Sequence, residues 1–483
     1  MFTDFAGEPS EPLLSRWFAP GAPYVHARWF FLRSLGLIFF SAFFSLWFQI
    51  RGLIGERGIL PAVEYLQLAK RVAGARAYWI VPSLLWISAR DWALTAIVVI
   101  GLIASLSIVF NFWPRTSIAI AMICFLSFIA AAQDFASYQS DGMLLEAAFL
   151  SLFLGSKREP PPYAAVFVLR YEWFRIYFES GLVKVLSGEE QWRNFTAMDK
   201  YYENGPLPTW IGWYTQHLPH SFHAATTAFT LFAELFLVWL MFVPSRRVRI
   251  GLFVVTSLLQ LGIIITANYA FLNYLVLALG ILLIQDPRPA PGGERVAEGR
   301  VRGATYVAAV VLTTHLITTT AMFLLPNFPT ARLLAPTRIV NSFGLFAVMT
   351  RARYEIEFQG TRDGVTWIAY PFRYKPQDVK EAPRVYAPYQ PRFDWNLWFA
   401  SLGTVEENPW VINVEERLVE NSPPVLELFR SNPFGNRPPA KVRAVVWQYW
   451  FTTREERAHT GAWWNRKLVG IYTDELSGAP LPR

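Results

Sequence analysis

Arg170, Glu172, Arg175, Glu179 and Lys184 all fall within Tyr163–Leu186, a segment otherwise apolar enough to lie in a lipid bilayer. An ionised side chain at mid-bilayer costs roughly 2.5–3.5 kcal/mol on insertion scales, so five in one helix need a physical reason. On a helix, Glu172, Arg175 and Glu179 share one stripe at spacings of three and four, with Arg175 in reach of both acids. Arg170 and Lys184 project from a different side. Lys184 lies near the outer end of the segment, where its long stem can snorkel to the interface. Two arrangements suit such a stripe. One is an ion-paired seam to Gln133, Asp141 or Glu146 on neighbouring elements. The other is a polar cavity opening outward for a substrate or client.

Other residues invite chemistry less strongly. Asp134 and Asp141 bound the stretch DFASYQSD, but no third ligand stands at a metal-like spacing. A solvated outer loop is the expectation for both. Glu146 lies in the short apolar run Gly142–Leu154, which suits a tilted or re-entrant segment with Glu146 facing protein. His217, His220 and His223 are spaced by three in QHLPHSFH, yet Pro219 interrupts the regularity and no acid is near in sequence. They read as histidines of a loop entering the next span, so no metal is assigned. Cys124 is the single cysteine, which excludes an internal disulfide and a CxxC redox site. No serine-hydrolase elbow, zincin, phosphate-loop or dinucleotide fingerprint occurs in a credible context, and no cofactor is expected.

The elements that must position these side chains are membrane helices. Charged residues make up 17% of the 483, against about 25% in an average soluble chain. The net charge of +8 recurs as arginine in short loops, which points to membrane topology rather than to a nucleic-acid partner. Strong apolar runs are Trp29–Ile50, Trp92–Phe112, Thr116–Ala132, Ala224–Val243, Ile250–Ala267, Tyr269–Gln285 and Gly303–Leu325. With the weaker Gly142–Leu154 and Tyr163–Leu186 they give about nine spans. The first run is too long and too aromatic for a cleaved signal.

Loops 155–162, 244–249 and 286–302 are rich in Lys and Arg and should share the cytoplasmic side. That predicts a cytoplasmic segment 1–28, a transmembrane domain 29–325 and a non-cytoplasmic domain 326–483 in a periplasm or an ER lumen. Loop 51–91 fits this badly, being basic yet outside, unless Glu64–Ala75 forms an interfacial amphipathic helix. After residue 325 the apolar runs stop. RYEIEFQGTRDGVTWIAYPFRYK and KVRAVVWQYWFTT alternate like paired strands, with a turn at Asp363–Gly364. NPWVINVEERLVENSPPVLELF reads as helical. The fold class is therefore an α-helical polytopic membrane bundle followed by a β-rich mixed soluble domain. The Trp clusters in QPRFDWNLWFA and TGAWWNRKL suit either an interface or a core.

Six blocks, in order, carry a family likeness. They are YQSDGMLLEAAFLSLFL, SGLVKVLSGEEQWRNFTAMDKYYENGPLPTWIGWYTQHLP, ANYAFLNYLVLALGILLIQD, VNSFGLFAVMTRARYEIEFQGTRDGVTWIAYPFRYKP, YAPYQPRFDWNLWFASLG and TGAWWNRKLVG. Together they resemble the lipase maturation factor family. The resemblance implies a polytopic membrane protein that helps secreted clients, lipases in animals, reach their active fold without a covalent reaction. A wider similarity reaches the vitamin K-dependent carboxylase group of membrane proteins, through Gly181–Lys184 followed by Trp192 in an outer loop. That likeness implies the alternative, an intramembrane enzyme acting on a quinol or lipid-type cofactor with Lys184 as base. The short arginine-marked loops favour a bacterial inner membrane over the ER.

Overall fold

Apolar runs fold as helices in hydrocarbon because every backbone donor and acceptor must find its partner inside the segment. The computed structural model of the chain describes residues 17–18, 21–136, 138–155, 159–287, 303–325 and 328–477. Its helices include α1 (Val25–Trp47), α2 (Asp91–Val109), α3 (Pro114–Ala131), α4 (Gln139–Ser151), α5 (Tyr163–Leu186), α6 (His220–Leu235), α7 (Arg246–Thr266), α8 (Leu272–Ile281) and α9 (Gly303–Leu324). Among the described residues, six helices are long and apolar enough to cross a membrane: α1, α2, α3, α6 with its continuation to Phe242, α7 and α9. The expected count of about nine is not reached on length and composition. The α4 and α8 helices have only 13 and 10 residues, and α5 carries the five charges.

The α5 helix is central, packing against α4, α6, α8 and α9. Sixteen of its 24 residues are buried, so its charges face protein, not lipid. The α1 helix packs on α2 and α8, and α7 packs on α8. At one end of the bundle, arginines take up carbonyls that helix ends and turns leave open. Arg28 donates to the carbonyls of Leu154 (3.0 Å) and Glu159 (2.8 Å), and Arg170 donates to Met241 (2.6 Å). Arg249 reaches Gln285 at 3.0 Å. Of the three basic loops, Lys157, Arg158, Arg288, Arg295, Arg300 and Arg302 lie outside the described residues.

The other end carries the C-terminal region. Its sheet is antiparallel in the order β2-β1-β3-β4, from β1 (Arg353–Thr361), β2 (Ile368–Ala369), β3 (Lys441–Phe451) and β4 (Trp464–Ser477). The register pairs Ile356 with Val446 and Gly360 with Val442. A Cβ on Gly360 would lie 2.6 Å from the Phe434 ring, which explains a glycine inside a strand. The turn after β1 is set by Asp363, whose carboxylate accepts from the N–H groups of Val365 (2.9 Å) and Thr366 (2.7 Å). These bonds hold its pKa below the usual carboxylate range. Two helices cover the sheet, α10 (Arg392–Ala400) and α11 (Trp410–Val419). A one-sided helix, Ala62–Ala73, forms in the 51–91 loop as expected of an amphipathic segment.

No apolar gap separates the bundle from the sheet; one core runs through both. Tyr138 stacks on Trp395 with centroids 5.1 Å apart, and Phe135 meets Trp410 edge-on at 5.3 Å. Trp395, Trp398 and Trp464 are buried, which decides the core reading for the main members of the Trp clusters. Gly52 lies so close to the C-terminal region that a Cβ there would sit 2.4 Å from the Pro424 carbonyl.

Candidate functional site

Arg175 is the hub of the α5 stripe. Its guanidinium donates to Glu146 on α4 at 2.7 Å and to Glu179 one turn on at 2.8 Å, with neither Arg175 nor Glu146 exposed. His315 of α9 places Nε2 3.1 Å from Glu146. The ion-paired seam to Glu146 is thus present. The predicted Glu172–Arg175 pair is not: among the described residues, neither oxygen of the buried Glu172 has a hydrogen-bond partner. The guanidinium is already taken by the two other acids and by a backbone carbonyl, that of Asn341.

That carbonyl belongs to an irregular strand of chain, residues 341–350, which leads from the last bundle helix into β1. Irregular backbone at such depth is tolerated only where protein satisfies it. Here side chains from α4 and α5 do so. Glu146 accepts from the Asn341 N–H (3.1 Å) and its side-chain amide (2.9 Å). Glu179 accepts from the Phe343 N–H, and Ser180 from that of Leu345 at 3.3 Å. Lys184 donates to the Leu345 carbonyl at 3.0 Å, Trp192 to that of Phe346 at 3.0 Å, and Ser187 to that of Ala347 at 3.0 Å. One physical reason for charge in α5 is therefore a docking track for the connector to the sheet.

Lys184 does not snorkel. It is buried and donates to both oxygens of Glu234 on α6, at 2.8 and 2.9 Å, besides Leu345 and the Ser180 carbonyl. Its partner is an acid inside the bundle, so leaving for the interface would strand that charge. An ammonium with four acceptors around it is not aimed at a substrate proton. Trp192, expected in an outer loop, is likewise buried, its ring 5.2 Å from the Lys184 ammonium. A cavity of ≈ 750 Å³ lies where α1 and α2 meet α10 and the loops around Arg373, Tyr389 and Glu427 of the C-terminal region. A second, of ≈ 530 Å³, opens beside the Lys184–Glu234 pair between α5, α6, α7 and α8. Polar groups along its wall are knit together: Gln260 donates to Tyr177 at 2.8 Å and accepts from Asn273 at 2.6 Å.

The remaining candidates separate. Asp141, expected in solvent, is fully buried and receives two hydrogen bonds from Arg392 of α10, at 2.7 and 2.8 Å. The C-terminal region covers what would otherwise be an exposed loop. Asp134 is exposed, and Gln133 reaches the Leu60 carbonyl at 3.5 Å. His217 lies 2.7 Å from the Trp213 carbonyl and 3.0 Å from that of Thr452. His220 meets Asp199 at 3.0 Å and His223 the Leu218 carbonyl at 3.0 Å. Each histidine has its own partner, and among the described residues no cluster suits a metal. Glu234, His315, Asn341 and Arg392 escaped sequence reasoning. The signal for the first two was available: each is the sole Asp, Glu, His, Lys or Arg inside a long apolar run.

Comparison with known proteins covers both parts of the chain. Residues 26–289 match the family model described as lipase maturation factor transmembrane domain, and residues 339–474 match lipase maturation factor C-terminal domain. Lipase maturation factor 1 of Bos taurus is 31% identical over 501 residues, covering 93% of this chain and 89% of its own length. Lipase maturation factor 1 of Homo sapiens is 30% identical, over 92% of this chain and 87% of that protein. Lipase maturation factor 2 of Homo sapiens is 28% identical, over 93% and 82%. No solved structure matches the chain. The carboxylase likeness finds no support in these matches.

Proposed function

The chain belongs to the lipase maturation factor family, and from that premise we propose that it assists the folding of secreted, lipase-type clients from within a membrane. The observation that carries the reading is the fit of both family models to a chain whose two matched parts share one core. A client-binding region rigidly coupled to a membrane anchor can hold a nascent secreted protein where it emerges. The polar groups Glu146, Arg175, Glu179 and Lys184 act in this reading by fixing the connector, not by touching a reacting atom.

The short helices α4 and α8 and the charged α5 complete, in our reading, nine passes in alternating directions. The arginine-rich end then faces the cytoplasm together with residues 1–28, and the sheet faces a periplasm or ER lumen. Positive-inside bias at the arginine end supports that orientation. A bacterial inner membrane suits the short basic loops.

The test is deletion of the gene from its host, followed by assay of secreted hydrolases per unit of secreted protein. Lipase-class specific activity should fall while its mass is retained. Full specific activity across the secretome would refute the proposal.

A further inference from the structure

We propose that the ≈ 530 Å³ cavity between α6 and α7 holds one acyl chain of a neutral or zwitterionic glycerolipid, drawn laterally from the bilayer. Its volume falls within the roughly 300–1,000 Å³ typical of ligand pockets. The α6 helix, continuing to Phe242, packs on α5 and α7 packs on α8, with the short turn 243–245 joining them at the arginine end. The gap between them is rimmed by Phe222, Phe229, Leu258 and Ile265, all exposed on the outer surface of the bundle. From Phe222 to Glu234 the cleft follows thirteen residues of α6, roughly 18 Å of helix. Such a space beside hydrocarbon, lined mainly by apolar atoms, loses dispersion contacts if left empty. A lipid chain can enter it sideways without crossing water.

Charge selects the head group. Among the described residues, the oppositely charged pair on the wall is Lys184 with Glu234, and each neutralises the other through two hydrogen bonds. The hydroxyls of Thr226 and Thr230 already donate to carbonyls of their own helix, leaving lone pairs but no free cation. An anionic head therefore gains nothing here. Leu345, Phe346 and Met349 of the connector form part of the same wall, so the chain would pack directly against the link to the sheet.

The test uses the full chain in vesicles of phosphatidylethanolamine and phosphatidylglycerol, with a diazirine near the end of one acyl chain of either lipid in turn. After irradiation, adducts should concentrate on peptides spanning 222–234 and 258–266, and several-fold more from the ethanolamine lipid. Gly262 sits at the rim of the cavity, and a Cβ there meets nothing within 4 Å. Gly262→Phe, or the smaller Gly262→Leu, should reduce this labelling several-fold. Both also replace a helix-weakening glycine, which favours folding. Gly251 is equally open on the same helix but away from the cavity, and Gly251→Phe should leave labelling unchanged. Equal labelling in the Gly262 and Gly251 variants, adducts spread evenly over the lipid-facing helices, or stronger labelling from the glycerol lipid would each overturn the proposal. The readout is lipid contact, so it can fail while client maturation stands.

Discussion

Asp141 and Arg392 illustrate what a single buried pair does here. They are far apart in sequence, fully buried, and joined by two short hydrogen bonds, while Arg392 also donates to the Phe135 carbonyl at 2.8 Å. Breaking one side of such a pair typically costs about 3–5 kcal/mol, because the partner stays charged and buried. Arg392→Met should therefore lower the thermal midpoint of the detergent-solubilised protein sharply. The double change Asp141→Leu with Arg392→Met should recover much of the loss, and a midpoint no better than the single variant would contradict this account. On α5, Glu172 and Glu179 lie seven residues, about two turns, apart on one stripe, yet only Glu179 has hydrogen-bond partners among the described residues. Glu172→Leu should change stability by no more than about 1 kcal/mol, in either direction, since no hydrogen bond is lost. Glu179→Leu strips both Arg175 and the Phe343 N–H of an acceptor and should cost several times more. Similar losses in the two variants would count against the docking-track reading.

At the scale of elements, helix positions follow from local pattern and helix partners do not. The bounds Tyr163–Leu186 and the hairpin at Asp363–Gly364 were legible because apolar runs and turn residues are local signals. The pairing of Lys184 with Glu234 was not, since it joins two helices whose mutual rotation depends on the whole bundle. The sheet has its own buried acid. Glu415 on α11 is hydrogen-bonded to Thr473 on β4, and burial pushes its pKa up to about 8. The folded protein thus holds this proton where the unfolded chain, with Glu near 4.3, has released it. Its contribution to stability is fully present at low pH and is lost as pH rises through about 8. Between pH 6 and pH 8 the loss should be about 2 kcal/mol, and Glu415→Gln should flatten that slope. Thermal melts across this range, with the same slope in both proteins, would exclude Glu415 as its source.

For the molecule as a whole, the bundle and the sheet share a core, so they should unfold together. Asn268 ties them as well, its side-chain amide oxygen accepting from the N–H groups of Tyr386 (2.6 Å) and Ala387 (2.9 Å). The orientation proposed above predicts that a reporter fused after residue 477 is active only outside the cytoplasm, and one fused before residue 17 only inside. Fusions reporting the same side for both would require an even number of passes and dismantle the topology.

Apolar run length alone determined that this chain lives in a membrane, because hydrocarbon acts on each segment separately, and alternation around turn residues located β1 and β3 of the small C-terminal sheet. The charges of α5 showed that it must face protein or a wet cleft, without deciding between them. Which acid meets which base was decided only by tertiary structure. The C-terminal region folds back over the bundle end, where Arg392 of α10 meets the buried Asp141, and desolvation there allows a charge to stay only where a partner from a distant segment arrives.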